Sequence, residues 1–500
     1  VNLADLIERN AAFTPEKPAL RFAGQARSYA AFAERIGALA RALKSQLCVR
    51  RGDRVAVLAM NHPDHLALLY ACARLGAMLV PLNWRLAVPE LTFILSDADV
   101  RALFVSEAFG SAIATTETQL VGLDYTPERG VVLTDLVASD SGDGSEANVD
   151  WHTPMLIVYT AGTTGRPKGA VLAQRALLAN AMMSQHLHAM TSDDHVLTVL
   201  PLFHVGGLNI QTTPALQLGA TVTLHARFTA EDTLRSIAQD RPTLTVLVPS
   251  AIQALLEHPR WNEADLASLR AISTGSTLVP QGLVDAVQAR GVPVLQVYGA
   301  TETSPIAAYT RLGGDLSRPL STGLPGLLCE ARIVDDAGHE VAPGLSGEVE
   351  VRGPNVLTEY WRNGDATTEA LHDGWFRTGD IAMRDDDGYF TIHDRKKNMI
   401  VSGGENIYPA EIERVLLDHP MVAEAAVIGA PDPRWQEVPV AFVVSRAAVP
   451  ADELRAFLAA NLARFKVPRD IVFLEELPRN ALGKVQHFRL KESWRGDLTT

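Results

Sequence analysis

Short, wholly apolar segments alternate with segments of helical period, and that rhythm restricts the chain to a fold built on parallel sheets with right-handed crossovers. Arg54-Val55-Ala56-Val57-Leu58, Met78-Leu79-Val80 and Ala102-Leu103-Phe104-Val105 read as buried strands, with helices over 64–74 and Pro89–Leu95 between them. Ahead of these, Phe32, Ile36, Leu39 and Leu43 recur at helical spacing within 28–47, where Ser28 is placed to cap the start. The rhythm resumes with strands at Met155–Tyr159, Val196–Leu200, Thr221–Leu224, Thr245–Val248 and Val294–Val297. The polar stretch Ala138–Asp150 between the two runs reads as a surface loop.

After Gly323 the pattern changes to short strands divided by Gly and Pro turns, such as Ala331–Val334 and Gly347–Val351, which predicts a small β-barrel or sheet. A third pattern begins after Asp394. Strands at Ala425–Ile428, Pro439–Val444 and Ile471–Leu474, with a helix near 451–463, predict a small separate α+β domain. More than one domain is required in any case, because 500 residues exceed what one hydrophobic core serves.

Composition narrows the function. With 47% hydrophobic and 21% charged residues the chain is globular, not disordered. Forty-five Lys and Arg against 58 Asp and Glu give a net charge of −13, which argues against a nucleic-acid partner. Cys48, Cys72 and Cys329 lie far apart, so neither a disulfide framework nor a structural zinc site is expected, and a reducing compartment suits them. The opening residues Leu3–Arg9 show no secretion leader, and the apolar stretch Leu66–Leu82 is broken by Arg74, Gly76 and Pro81. A cytoplasmic protein without a transmembrane segment is expected.

The strongest local signal is YTAGTTGRPKG, Tyr159 to Gly169. A Gly/Thr-rich turn after a strand offers backbone N–H groups, hydroxyls and a lysine, the components of a polyphosphate cradle. It is not a Walker A loop, since Pro167 stands where that motif needs Gly and Gly169 where it needs Ser or Thr. Four further segments carry chemistry. Tyr298-Gly299-Ala300-Thr301-Glu302-Thr303 joins a ring, a hydroxyl and a carboxylate, and GWFRTGD ends in Asp380, a carboxylate suited to ribose hydroxyls. DRKKNMIVSGGENIYP spans Asp394 to Pro409, and PRNALGK ends in Lys484 on a Gly-containing loop.

With these five segments in this order, the chain resembles the adenylate-forming superfamily over essentially its whole length, and within it the stand-alone bacterial fatty-acyl and aryl-CoA ligases. The resemblance implies an ATP-dependent carboxylic acid–CoA ligase that forms an acyl-AMP with release of pyrophosphate, then passes the acyl group to CoA. It implies a large α/β domain over 1–393, made of two parallel-type subdomains and a small β-barrel, a hinge over 394–397, and a small mobile α+β domain over 398–500. Thr160, Thr163, Thr164, Gly165 and Lys168 would hold the β- and γ-phosphates, and Gly275, Ser276, Thr277 and Tyr298 the adenine. Thr301 would donate to the α-phosphate, Glu302 would bind Mg2+, and Asp380 and Arg395 would fix the ribose. Lys484 would bridge the α-phosphate and the attacking carboxylate. Lys397 would be the pivot, and Gly403, Gly404, Trp435 and Phe465 would receive CoA. One position departs from the family: Ala161 replaces a serine, a hydroxyl worth about 0.5–1.5 kcal/mol if it contacted phosphate.

The acyl pocket implied by the resemblance includes His204, Val205, Gly206, Ile210, Val248, Gly299 and Ala300, with Gly207 and Ile306 beside them. No Arg or Lys stands in these segments, which disfavours a dicarboxylate. Gly206 lies where some aryl ligases carry Tyr, so room for a longer acyl group is expected. The favoured acid is a medium- or long-chain fatty acid. The alternatives are an aryl acid of benzoate or cinnamate type, or delivery of the acyl-AMP to a carrier protein.

Overall fold

The computed structural model describes the chain apart from residues 114–117, 139–142, 147, 161–166, 277–278, 319, 403–404, 480–483 and 495–500 and the side chain of Asn406. Among the described residues, the two runs of alternating strands and helices form two sheets. The first runs Glu359–Tyr360, Lys168–Ala173, Pro154–Thr160, Met78–Pro81, Arg54–Leu58, Ala102–Val105, Gln119–Gly122 and Gly130–Val132. From Pro154–Thr160 onward its neighbours are parallel, and Arg54–Leu58 is buried along its full length, as a strand covered on both faces must be.

The second sheet runs Leu324–Pro325, Ala308–Tyr309, Val294–Tyr298, Ala271–Gly275, Leu244–Val246, His195–Thr198, Thr221–Leu224, Pro18–Phe22 and Gln25–Ser28. Its middle members, from Val294–Tyr298 to Pro18–Phe22, are parallel. The helix expected over 28–47 spans Tyr29–Ser45, with the Ser28 side chain accepting from Ala31 N. The short strands after Gly323 assemble in the order Glu330–Val334, Ser346–Arg352, Trp375–Arg384 and Leu371–His372, with Phe390–Arg395 on Trp375–Arg384.

The chain divides into two compact units. The first holds Val1–Thr277, Asp285–Ala331 and Val351–Phe376, and the second Leu278–Val284, Arg332–Glu350 and Arg377–Thr500. The second unit contains the expected C-terminal α+β fold. Val422–Asp432 and Gln436–Ser445 form a long antiparallel pair, flanked by Asp470–Phe473 and by Ile400–Ser402 with Glu405–Ile407. Ile412, Leu416, Val427, Val443, Leu454 and Leu458 close its core beneath helices Pro409–Leu417 and Ala451–Asn461.

Candidate active site

In a parallel sheet the loops at the carboxyl ends of the strands form the crevice where ligands bind. Strand Val294–Tyr298 ends there in Gly299 and Ala300, followed by the single turn Thr301–Thr303. A Cβ on Gly299 would overlap the Pro305 carbonyl oxygen, and one on Gly275 the Val297 carbonyl oxygen, so glycine is what lets these backbones approach. Ala300 N donates to Thr303 Oγ1 at 2.9 Å. Asn355 Nδ2 donates to the carbonyls of Thr303 and Ile306 at 3.2 and 2.8 Å, and Ser304 Oγ donates to Asn355 O at 2.8 Å. The loop carrying Thr301 and Glu302 is therefore tied at both sides. Tyr298 is half-buried and Ser276 exposed on neighbouring strand ends, and Thr277 lies outside the described residues.

The strands that flank the glycine-rich segment, Pro154–Thr160 and Lys168–Ala173, pair antiparallel, with Thr160 opposite Lys168. Thr163, Thr164, Gly165 and Ala161 lie outside the described residues. Strand Glu359–Tyr360 adds to the hairpin, with Tyr360 opposite Ala170 and Trp361 N donating to Gly169 O at 2.7 Å. Tyr360 joins two predicted site residues. Its hydroxyl donates to Glu302 Oε1 at 2.7 Å, and Lys168 Nζ sits 5.6 Å from its ring centroid. A cation that can hold phosphate and a carboxylate that can hold a metal thus converge on one phenol.

The donor set decides what metal fits. Among the described residues no three His, Cys, Asp or Glu side chains cluster as metal ligands. A lone carboxylate does not make a protein cage, but it suits Mg2+, which keeps waters and is held by one or two carboxylates together with substrate phosphates.

On the acyl side, His204 caps helix Val205–Asn209, its Nδ1 accepting from Gly206 N at 3.0 Å. A Cβ on Gly206 would come within 3.1 Å of that Nδ1. The capping imidazole therefore lies on the side that a side chain at position 206 would take. A Cβ on Gly207 would overlap the Pro201 carbonyl oxygen, so this glycine lets the two backbones pack closely. Val205, Gly206 and Ile210 are buried, and Val248 precedes helix Pro249–Leu256. Two asparagines brace these loops. Asn61 Nδ2 donates to the carbonyls of Leu200 and His225 while its Oδ1 accepts from Leu202 N, and Asn180 Oδ1 accepts from Ile306 N.

In the second unit, Asp380 and Arg395 are cross-strand partners joined Oδ1 to Nε at 2.7 Å, with Asp380 buried and Arg395 exposed. Arg395 Nη1 also donates to Thr378 O at 2.9 Å. Lys397 lies in the turn Lys396–Asn398, where the Lys396 ammonium bonds Asp336 and Glu348 at 2.8 and 3.1 Å. Asp394 Oδ2 accepts from Ala410 N at the start of helix Pro409–Leu417. Burial raises the Asp394 carboxyl above its ordinary value, helped by the Glu413 charge and opposed by bonds from Ala410 N, Arg395 N and Asn398. At His487, burial acts to lower the imidazole, but the Glu413 bond and the charges of Glu413 and Asp394 outweigh it and raise it.

Lys484 is exposed, beside the bridge between Arg479 and Val485. Trp435 and Phe465 are exposed, stacked under Arg434 and Lys466 respectively. Gly403 and Gly404 lie outside the described residues, directly after Ser402, which pairs with Gln436. Tyr360, Asn355, Asn180 and Asn61 carry no motif, and sequence reasoning passed over them. The one available signal was an amide or phenol standing among apolar neighbours, which needs a bonding partner when buried.

Two parallel α/β sheets with this loop chemistry at their strand ends, followed by a small α+β domain, define an adenylate-forming ligase. The chain belongs to the AMP-binding enzyme family, matching it over residues 7–361 and matching the AMP-binding enzyme C-terminal domain over 411–484. It is similar to an indoleacetate–CoA ligase of Aromatoleum aromaticum, 49% identical over 97% of each chain. It is also similar to a feruloyl-CoA synthase of Amycolatopsis, 40% identical over 95% of this chain and 96% of that one. Among solved structures it resembles the o-succinylbenzoate CoA synthetase of Bacillus subtilis bound to its acyl-adenylate intermediate (TM-score 0.89, 33% identity, 100% of both chains). The same enzyme with ATP and magnesium ion matches with a TM-score of 0.87 and 32% identity over 98% of both chains. The protein is an ATP-dependent, AMP-forming acid–CoA ligase that works with Mg2+. Among the described residues no helix is long and apolar enough to cross a membrane.

Proposed function

We propose that the acid is an aryl acid, with an arylacetate such as indole-3-acetate as the first candidate. The observation that carries this is the 49% identity to an indoleacetate–CoA ligase across 97% of both chains, with a feruloyl-CoA synthase next at 40%.

The residues take the following parts. A carboxylate oxygen of the acid attacks the α-phosphorus of ATP and pyrophosphate leaves, so negative charge grows on the phosphoryl oxygens. Lys168, with Thr160, Thr163, Thr164 and Gly165, holds the β- and γ-phosphates. Thr301 donates to the α-phosphate, and Glu302, oriented by Tyr360, offers its carboxylate to the metal, which when bound neutralises phosphate charge. Tyr298, Gly275, Ser276 and Thr277 form the adenine slot. Asp380 accepts from the ribose hydroxyls and Arg395, ion-paired to it, holds its orientation. Lys484 brings its cation to the α-phosphate during adenylation.

CoA thiolate then attacks the acyl carbonyl and AMP leaves. For this step the small domain, 398–500, turns about the hinge at 394–397 on Lys397, and the large domain is 1–393. Gly403, Gly404, Trp435 and Phe465 then line the CoA path. The three free thiols, Cys48, Cys72 and Cys329, support a cytoplasmic setting.

Pyrophosphate release tests the reading, measured with and without CoA on indole-3-acetate, ferulate, benzoate and decanoate. The expected result is a kcat/KM higher for an aryl acid than for decanoate, with thioester formed only when CoA is present. Preference for decanoate would restore the fatty-acid reading.

A further inference from the structure

Beneath the acyl-side loops lies a buried polar chain centred on His188. The imidazole Nδ1 is 2.7 Å from the Ser184 carbonyl oxygen, which can only accept, so Nδ1 carries the proton. Ser184 Oγ, 3.1 Å from the same nitrogen, gives its own proton to Ile210 O and therefore also faces Nδ1 as an acceptor. Burial lowers the His188 pKa to about 4, which keeps the ring neutral. Nε2 is left as an acceptor, and it receives Ser273 Oγ at 2.7 Å and Gln211 Nε2 at 3.0 Å.

This fixes the orientation of the Gln211 amide. Its nitrogen faces two acceptors, His188 Nε2 and, at 3.5 Å, the Thr245 carbonyl. Turning the amide over would set its oxygen against both lone pairs. The oxygen, Oε1, consequently points away from the chain and has no hydrogen-bond partner among the described residues, although Gln211 is only 1% exposed. A buried acceptor in that condition is costly unless a donor arrives from outside.

Gln211 lines a small cavity with Gly207, Val246, Leu200, Thr198 and Thr212. Neither threonine can supply the donor. Thr212 Oγ1 donates to Gly207 O at 2.6 Å, so the 2.7 Å contact between the two hydroxyls uses the Thr198 proton. The threonine hydroxyls of the cavity wall thus supply no donor to Oε1. Gly207 belongs to the acyl-side segment that His204 caps, and Val246 leads directly into Val248.

We propose that Gln211 Oε1 is a specificity determinant that reads a hydrogen-bond donor, a ring N–H or O–H, on the part of an aryl acid remote from its carboxylate. The inference rests on the aryl-acid reading and sharpens it, since it separates acids carrying such a donor from acids of the same shape that lack one.

The test pairs indole-3-acetate with 1-benzothiophene-3-acetate, which replaces the ring N–H by sulfur at nearly the same volume. Wild-type enzyme is expected to prefer the indole acid by at least about tenfold in kcat/KM, because an analogue without the donor leaves Oε1 unpaired. Gln211→Leu, with folding checked by its unfolding midpoint, is expected to bring the ratio near one, chiefly by losing turnover of the indole acid. A wild-type ratio near one requires no variant and overturns the proposal, since it means Oε1 bonds only water. A Gln211→Leu variant that slows both acids alike overturns it too, by reducing Gln211 to a packing role. Both outcomes leave the aryl-acid reading standing. Turnover of neither aryl acid, with decanoate active, removes that reading and this inference together.

Discussion

Glu302 and His188 show two ways in which one side chain depends on neighbours far away in sequence. Glu302 receives the Tyr360 hydroxyl at 2.7 Å, which points the carboxylate while leaving its charge to attract a cation. Glu302→Gln keeps the size and an oxygen but removes that charge, and an amide oxygen is a poorer Mg2+ ligand. Since even partners of metal ligands cost about 10–100-fold in affinity when lost, the Mg2+ concentration giving half-maximal pyrophosphate release should rise at least about tenfold. An unchanged magnesium titration would remove Glu302 from the metal site.

His188 is held neutral, with burial lowering its pKa to about 4 from the 6.5 of an exposed imidazole. A lowered folded-state pKa contributes stability that is complete above about 6.5 and is lost as pH falls toward 4, because only the unfolded chain takes up the proton there. Between pH 7 and 5 this one group should remove about 2 kcal/mol. His188→Gln should flatten that part of the stability profile, whatever it costs at pH 7, and urea midpoints at the two pH values measure it. Glu302 was legible in the sequence because Tyr298–Thr303 places it beside a strand end. Gln211, Tyr360 and Asn355 were not, since each is defined by partners that only folding supplies.

At the scale of elements, the turn Lys396–Asn398 is held at its edges, by the Lys396 ion pairs and by Asp394 on helix Pro409–Leu417. Lys397 lies between Lys396 and Asn398, whose Nδ2 donates to Asp394 Oδ1 at 3.0 Å, and is the position proposed as the pivot. Proline there locks φ near −65° and removes the N–H. Lys397→Pro should spare adenylation and depress thioester formation from supplied acyl-AMP, on the order of a hundredfold if the turn must pass through another φ. Equal losses in both half-reactions would make the segment an ordinary turn. The parallel strands that the sequence marked lie close to their expected bounds, because each is a short run of buried apolar residues, whereas Ala271–Gly275, Gln119–Gly122 and Gly130–Val132 were not marked. Sequence reasoning missed Lys168–Ala173 as a strand, since the glycine-rich signal beside it masked the apolar Ala170-Val171-Leu172. It also missed Pro18–Phe22, whose pairing with Thr221–Leu224 is invisible to any local pattern.

Across the whole molecule, the proposed function has one site performing two reactions in turn, with Lys484 serving only the first. Lys484→Ala should lower adenylate formation by about 10²–10³ or more, the usual cost of a charge-stabilising donor, and spare the transfer of supplied acyl-AMP to CoA. Parallel losses would contradict the alternation.

Activation of an aryl carboxylate through its own oxygen as an adenylate, followed by passage to CoA, leaves a trace that isotope transfer reads. Indole-3-acetate labelled with oxygen-18 in both carboxyl positions is turned over with ATP, Mg2+ and CoA, and the nucleotide product is weighed by mass spectrometry. The oxygen that attacks the α-phosphorus stays on phosphorus when the thiolate displaces it. The expected products are AMP carrying one oxygen-18 and a thioester keeping the other. Unlabelled AMP, or ADP in its place, would contradict activation as an adenylate.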